Sequence, residues 1–218
     1  MVMRGSRSSS TLVALLACAM VLGAWAAPAS AATVFCKTNV ETCSAENTYP
    51  LGSEFSFSTS GTTVILETVA SKFKCPSSTI GMKSEKSEGG PLLGEVTSVT
   101  FGKCSVEAGF GECKSLEVRN LPWSAKWIAG TGGGEDKMSL GDSGKGRPAI
   151  RLLCFGFSCT YGVVEISEIG MPVVSGKTHV VLTNRALALF EGSPLCATVL
   201  KWSADYNSPA PEALFLTF

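Results

Sequence analysis

Beyond residue 31 the chain alternates apolar and polar positions with a period of two. Near the C-terminus Leu200, Trp202, Ala204 and Tyr206 interleave with Lys201, Ser203 and Asp205. Such a period puts one set of side chains on a buried face and the other in water, which is the pattern of a strand. Leu116 and Val118 alternate with Glu117 and Arg119 in the same way, and Trp123, Ala125 and Trp127 with Ser124 and Lys126. Phe55 and Phe57 alternate with serines. Thr63–Val69, Thr79–Ser84, Glu95–Lys103, Ala149–Phe155, Cys159–Ser167, His179–Thr183 and Ala213–Phe218 add further β-like runs.

Turn formers separate these runs: Ser60-Gly61, Gly89-Gly90-Pro91, Gly109 to Gly111, Gly130 to Gly134 and Gly141 to Gly146. Arg185–Phe190 reads either as a short helix or as part of a hairpin turning at Asn184-Arg185. With 23 glycines, 10 prolines and no 3.6-residue apolar stripe after the leader, a helix-rich fold is excluded. The pattern predicts an all-β fold, an antiparallel β-sandwich (Ig-like or jelly-roll-like) of roughly ten to thirteen strands stapled by disulfides.

The first 31 residues follow another logic. Arg4 and Arg7 precede an apolar run from Thr11 to Ala27, which ends in Ala29-Ser30-Ala31. This is the order of a secretory signal peptide, with cleavage expected near Ala31. An uncleaved anchor, or a lipoprotein site at Leu15-Leu16-Ala17-Cys18, is the alternative reading. No later stretch approaches the roughly 20 apolar residues of a spanning helix. Residues 32–218 are expected to form a single β-sandwich domain with a Gly-rich loop near 130–147, the alternative being a division into two β lobes there.

Removing the leader turns a balance of 18 basic and 18 acidic residues slightly acidic, so no basic field remains to recruit nucleic acid. It also removes Cys18 and leaves Cys36, Cys43, Cys75, Cys104, Cys113, Cys154, Cys159 and Cys196. An even set in an exported chain reads as a disulfide framework. Spacing favours Cys36–Cys43, Cys104–Cys113 and Cys154–Cys159, each closing a short loop, and leaves Cys75–Cys196 by elimination.

Candidate chemistry is sparse. Gly141-Asp142-Ser143-Gly144 looks like the nucleophile segment of chymotrypsin-type proteases, but the single histidine, His179, lies downstream of Ser143, where that family needs its base upstream. His179 is expected at a surface or strand edge. Oxidised cysteines and one imidazole make a poor zinc site, and Glu135, Asp136 and Asp142 suggest at most weak calcium binding. Gly130–Gly134 lacks the Lys-Ser/Thr pair and following helix of a phosphate loop. Scattered carboxylates give no way to choose a glycosidase pair. Trp123 and Trp127, four apart in a strand, share a face that either stacks on a ligand or fills the core. The alternating Leu214, Leu216 and Phe218 resemble the last strand of an outer-membrane barrel, a reading that the cysteines oppose.

Phe73-Lys74-Cys75, Val99-Thr100-Phe101-Gly102-Lys103-Cys104, Cys113 with Asn120-Leu121-Pro122-Trp123, and Cys154 through Cys159-Thr160-Tyr161 together form a recognisable series. Over roughly Ser71 to Phe218 it resembles uncharacterised exported cysteine-rich β proteins of actinobacteria that carry a Leu-Pro-Trp element. The resemblance implies export and β structure and brings no assigned activity. The expectation is a secreted or cell-surface, non-catalytic binding or structural module, with no cofactor or metal, whose partner is an extracellular protein, a glycan or an apolar ligand. A secreted hydrolase using carboxylates is the rival.

Overall fold

The computed structural model describes residues 32–59, 61–87, 90–109, 113–131, 134–208 and 214–217. The expected signal peptide lies outside them. The described residues are all-β, with no helix and with four disulfides. The strands are β1 (Val34–Cys36), β2 (Glu54–Ser58), β3 (Val64–Glu67), β4 (Ser71–Cys75), β5 (Ser78–Ser87), β6 (Leu92–Phe101), β7 (Ser105–Gly109), β8 (Cys113–Arg119) and β9 (Trp123–Ile128). They continue as β10 (Lys137–Gly141), β11 (Ala149–Cys154), β12 (Phe157–Gly162), β13 (Glu165–Gly170), β14 (Val173–Val174), β15 (Lys177–Gly192), β16 (Val199–Asn207) and β17 (Phe215–Thr217).

In place of two facing sheets of a sandwich, one continuous antiparallel sheet closes on itself. The ring runs β2-β5-β6-β9-β10-β13-β15-β16 and returns to β2 through Asn207 opposite Ser58. Its eight strands follow chain order, so the barrel is a meander interrupted by insertions. Closure removes the exposed edges that an open sheet would have to protect. The inward positions are those the alternation selects: Phe55, Phe57, Ile80, Met82, Trp123, Trp127, Met138, Leu140, Val180 and Tyr206 are all buried. Outward positions carry Glu54, Lys83, Glu95, Lys126, Lys137 and Glu165, where an outer-membrane barrel has an apolar band.

The insertions build a second sheet on one end of this barrel. Its order is β7-β4-β3-β16-β15-β12-β11-β8, so the distal halves of β15 and β16 belong to it while their other halves close the barrel. At 16 residues, β15 spans roughly 50 Å at about 3.3 Å per residue. The opposite end of the barrel is covered by β1, paired with β17. Phe35 of β1 meets Phe55 at 4.8 Å and Trp127 at 5.2 Å, ring centre to ring centre, both edge to face.

Three sequence expectations change. Arg185–Phe190 is neither helix nor hairpin but the middle of β15, where the register slips between Leu182 and Arg185 and Asn184 takes φ 49°. The extra residue switches the inward face from Val180 and Leu182 to Leu187 and Leu189 while β16 keeps a strict alternation. The stretch 130–147, expected as a Gly-rich loop, contains β10 between β9 and β13. The cysteines pair as Cys36–Cys43, Cys75–Cys104, Cys113–Cys154 and Cys159–Cys196. Only the first matches the spacing argument. Cys104 directly precedes β7 and Cys113 opens β8, whereas the register Lys74↔Ser105 carries Cys75 to Cys104, and Cys113 lies directly opposite Cys154. The other three pairings follow neighbouring strands and not short loops.

Candidate functional site

The outer wall of the barrel carries an open groove of about 610 Å³. Its position follows from the registers of four strands. Glu95 of β6 lies opposite Ser124 of β9, Ser124 opposite Gly141 of β10, and Gly141 opposite Glu165 of β13. The adjacent row holds Leu93, Lys126 and Ser139. Glu85 and Val164 complete opposite rims, and the loop Asp142-Ser143 closes one end. Gly141 keeps the floor low, because a Cβ there would stand 3.0 Å from Ser124 Oγ.

Carboxylates accept hydrogen bonds, serine hydroxyls do both, and Lys126 donates, so the groove offers a mixed polar lining with apolar points at Leu93 and Val164. The serine and aspartate of the loop that closes the groove are already engaged. Ser143 Oγ donates to the Pro122 carbonyl at 2.5 Å. Asp142 Oδ1 accepts from the amides of Gly144 at 2.6 Å and Gly146 at 2.9 Å, so the Gly-Asp-Ser-Gly segment is a turn held by its own side chains.

The remaining sequence candidates lie elsewhere. Trp123 and Trp127, considered as a ligand-stacking stripe, are 1% and 0% exposed inside the barrel and present no ring to a surface ligand. His179 stands on the outside of β15 with Nδ1 2.7 Å from Asp205 Oδ1 of β16. That pair was hidden in the sequence by a separation of 26 residues. Among the described residues no hydroxyl or thiol is hydrogen-bonded to its other ring nitrogen, so the pair lacks the nucleophile of a triad. Asp136 and Asp142 flank opposite ends of β10, too far apart to share one calcium ion. At the start of the Gly-rich stretch the Gly130 amide donates to Asp136 Oδ1 at 2.8 Å, so that amide already has a carboxylate partner where a phosphate would have to sit. Burial raises the Asp136 pKa first, the Gly130 amide opposes that rise, and neighbouring Glu135 adds to it.

Sequence reasoning did not single out Glu85, Glu95, Ser139 or Glu165. Their only signal is an outward place in the alternation, which many other polar residues share. The eight cysteines expected in disulfides are all so engaged. Among the described residues no helix is long and apolar enough to cross a membrane. Four disulfides point to an oxidising, extracytoplasmic environment. Comparison of the chain with protein-family models, with curated proteins and with solved structures gives no match.

Proposed function

We propose that this chain is an exported, non-catalytic binding module of the cell surface or surrounding medium, and that the outer-wall groove holds a hydroxyl-rich ligand such as a glycan. The observation that carries the reading is the row Glu95, Ser124, Gly141, Glu165 across four strands of a barrel whose interior is filled with aromatic and aliphatic side chains. Acceptors on both rims, hydroxyls and a lysine along the floor and small apolar faces between them suit sugar rings, which present hydroxyls at their edges and C–H groups on their faces. Because the wall is hydrogen-bonded sheet, little has to be ordered on binding.

The test uses protein recovered from the medium of a secreting host and a panel of cell-wall and surface polysaccharides. Binding by calorimetry that falls at least tenfold in Glu95→Gln with Glu165→Gln, with no release of reducing ends, supports the reading. Turnover of a polysaccharide that disappears in the same variants would establish the carboxylate hydrolase instead.

A further inference from the structure

The second sheet ends in hairpin tips that all face the same way. β3 and β4 join at residues 68–70, β11 and β12 at Phe155-Gly156, and β15 and β16 at residues 193–198. Register fixes their common direction: Glu67 lies opposite Lys201 just after β16 begins, Gly192 lies opposite Cys159 just after β12 begins, and Ser71 opens β4 opposite Gly109 as β7 ends. Each tip thrusts one large apolar side chain into water. Val69 is 98% exposed, Phe155 74% and Leu195 70%.

These side chains are held out by construction. Thr68 Oγ1 accepts from the amides of Ala70 and Ser71 and so fixes the Val69 turn. Phe155 directly follows Cys154, bonded to Cys113, and Leu195 directly precedes Cys196, bonded to Cys159. The three tips converge on a slot of only about 20 Å³, lined by Thr68, Ala70, Leu152, Phe157, Leu195 and Ala197 among others. A protruding group of a partner would find no room there. The three tips themselves contain no charge: Thr68-Val69-Ala70, Phe155-Gly156-Phe157-Ser158 and Ser193 to Thr198 have no Asp, Glu, Lys or Arg, and the neighbouring charged residues Glu67, Lys72, Lys114, Glu191 and Lys201 belong to the strands behind them.

We propose that this end of the sheet inserts its tips into the outer layer of a lipid bilayer. Three side chains, none of them fully exposed, fall well short of the ~800 Å² per partner that a stable protein interface buries. Separate convex apolar points fit a fluid apolar medium, which needs no shape match, better than they fit a second folded surface. With no basic residue at the tips, attraction to anionic headgroups contributes little. Binding therefore depends on apolar insertion and is indifferent to salt and lipid charge. This surface is separate from the outer-wall groove, so either assignment can fail alone.

The experiment is co-sedimentation of the exported protein with phosphatidylcholine vesicles, with and without added phosphatidylglycerol, at low and high salt. Binding to the neutral vesicles, unchanged by salt or anionic lipid and reduced at least tenfold in Val69→Ser, Phe155→Ser and Leu195→Ser combined, is expected. Near-wild-type melting of that variant and protection of all eight cysteines from alkylation control for folding. Absence of wild-type binding, or binding that the folded variant retains, overturns the proposal. So does a concentration-dependent dimer, seen by sedimentation velocity, that the variant abolishes, since the tips would then meet a second copy.

Discussion

The Tyr206 hydroxyl lies 2.9 Å from Ser78 Oγ in the buried region where the barrel passes into the second sheet. Ser78 uses its single proton to donate to the Thr100 carbonyl at 2.6 Å, so the tyrosine is the donor to serine. One side chain thus ties β16 to β5 and, through Ser78, to β6. Burial first of all holds the phenol well above the ordinary tyrosine range. Tyr206→Phe removes the donor and leaves the packing. It should cost about 1 kcal/mol, the net value of one such bond, whereas Tyr206→Ala should cost about 3 to 5 kcal/mol through the cavity it opens. Urea melts of both variants check the ratio.

Peptide mapping of non-reduced protein should find Cys75 joined to Cys104, Cys113 to Cys154 and Cys159 to Cys196. These bridges span 29, 41 and 37 residues. On the chain-entropy account each contributes about 3.5 to 4 kcal/mol, and Cys36–Cys43, with its shorter loop, about 2.5 kcal/mol. Replacing each pair by serines should order the losses accordingly, with Cys36 and Cys43 the mildest.

Asp136→Asn keeps an Oδ1 acceptor for the Gly130 amide and removes the charge. Because the folded-state pKa of Asp136 is raised, the folded protein holds that proton more tightly than the unfolded chain does. The resulting penalty is felt in full above the folded pKa and fades as pH falls toward the ordinary aspartate value. The variant should therefore melt higher than wild type at pH 7, with the margin closing near pH 4. A lower melting temperature at pH 7 would contradict the account.

Gly130→Ala should destabilise by roughly 1 to 3 kcal/mol, the usual cost of forcing extra atoms into a closed space. A Cβ at Gly130 would lie 1.9 Å from the Gly134 carbonyl oxygen. Ala at Gly144, where nothing lies within 4 Å but φ is 89°, should cost less and only through backbone strain. Thermal melts of the two variants separate crowding from conformation.

What alternation reveals is which face of a strand is dry. Leu200 to Tyr206 and Trp123 to Trp127 declared their buried faces, and the structure places those residues in the core. Alternation does not say which strand lies next to which. Closure of the barrel depends on pairings such as Gly170 with Val181 and Asn207 with Ser58, far apart in sequence or fixed by a single contact. Three of the four disulfide pairings escape the spacing argument for the same reason, since Cys113 and Cys154 become neighbours only through the β8–β11 register. The bulge at Asn184 broke the period of two and disguised one long strand as two short elements. The groove was illegible because it is made of outward residues from four strands, and outward polar residues carry no mark of which neighbours they will meet.

β15 and β16 share their pairing from His179↔Asn207 to Ala188↔Val199 and are common to both parts of the sheet. A pull between the hairpin tips and the barrel acts along these strands, across the direction of their hydrogen bonds. Load entering at the β3–β4 and β11–β12 tips reaches β15 and β16 through the β3–β16 and β12–β15 bonds, which are loaded side by side and must give way together, not one at a time as in the peeling of a hairpin from its open end. Under tension the chain would resist as a clamp, and the bulge at Asn184 is the place where that shared load is interrupted.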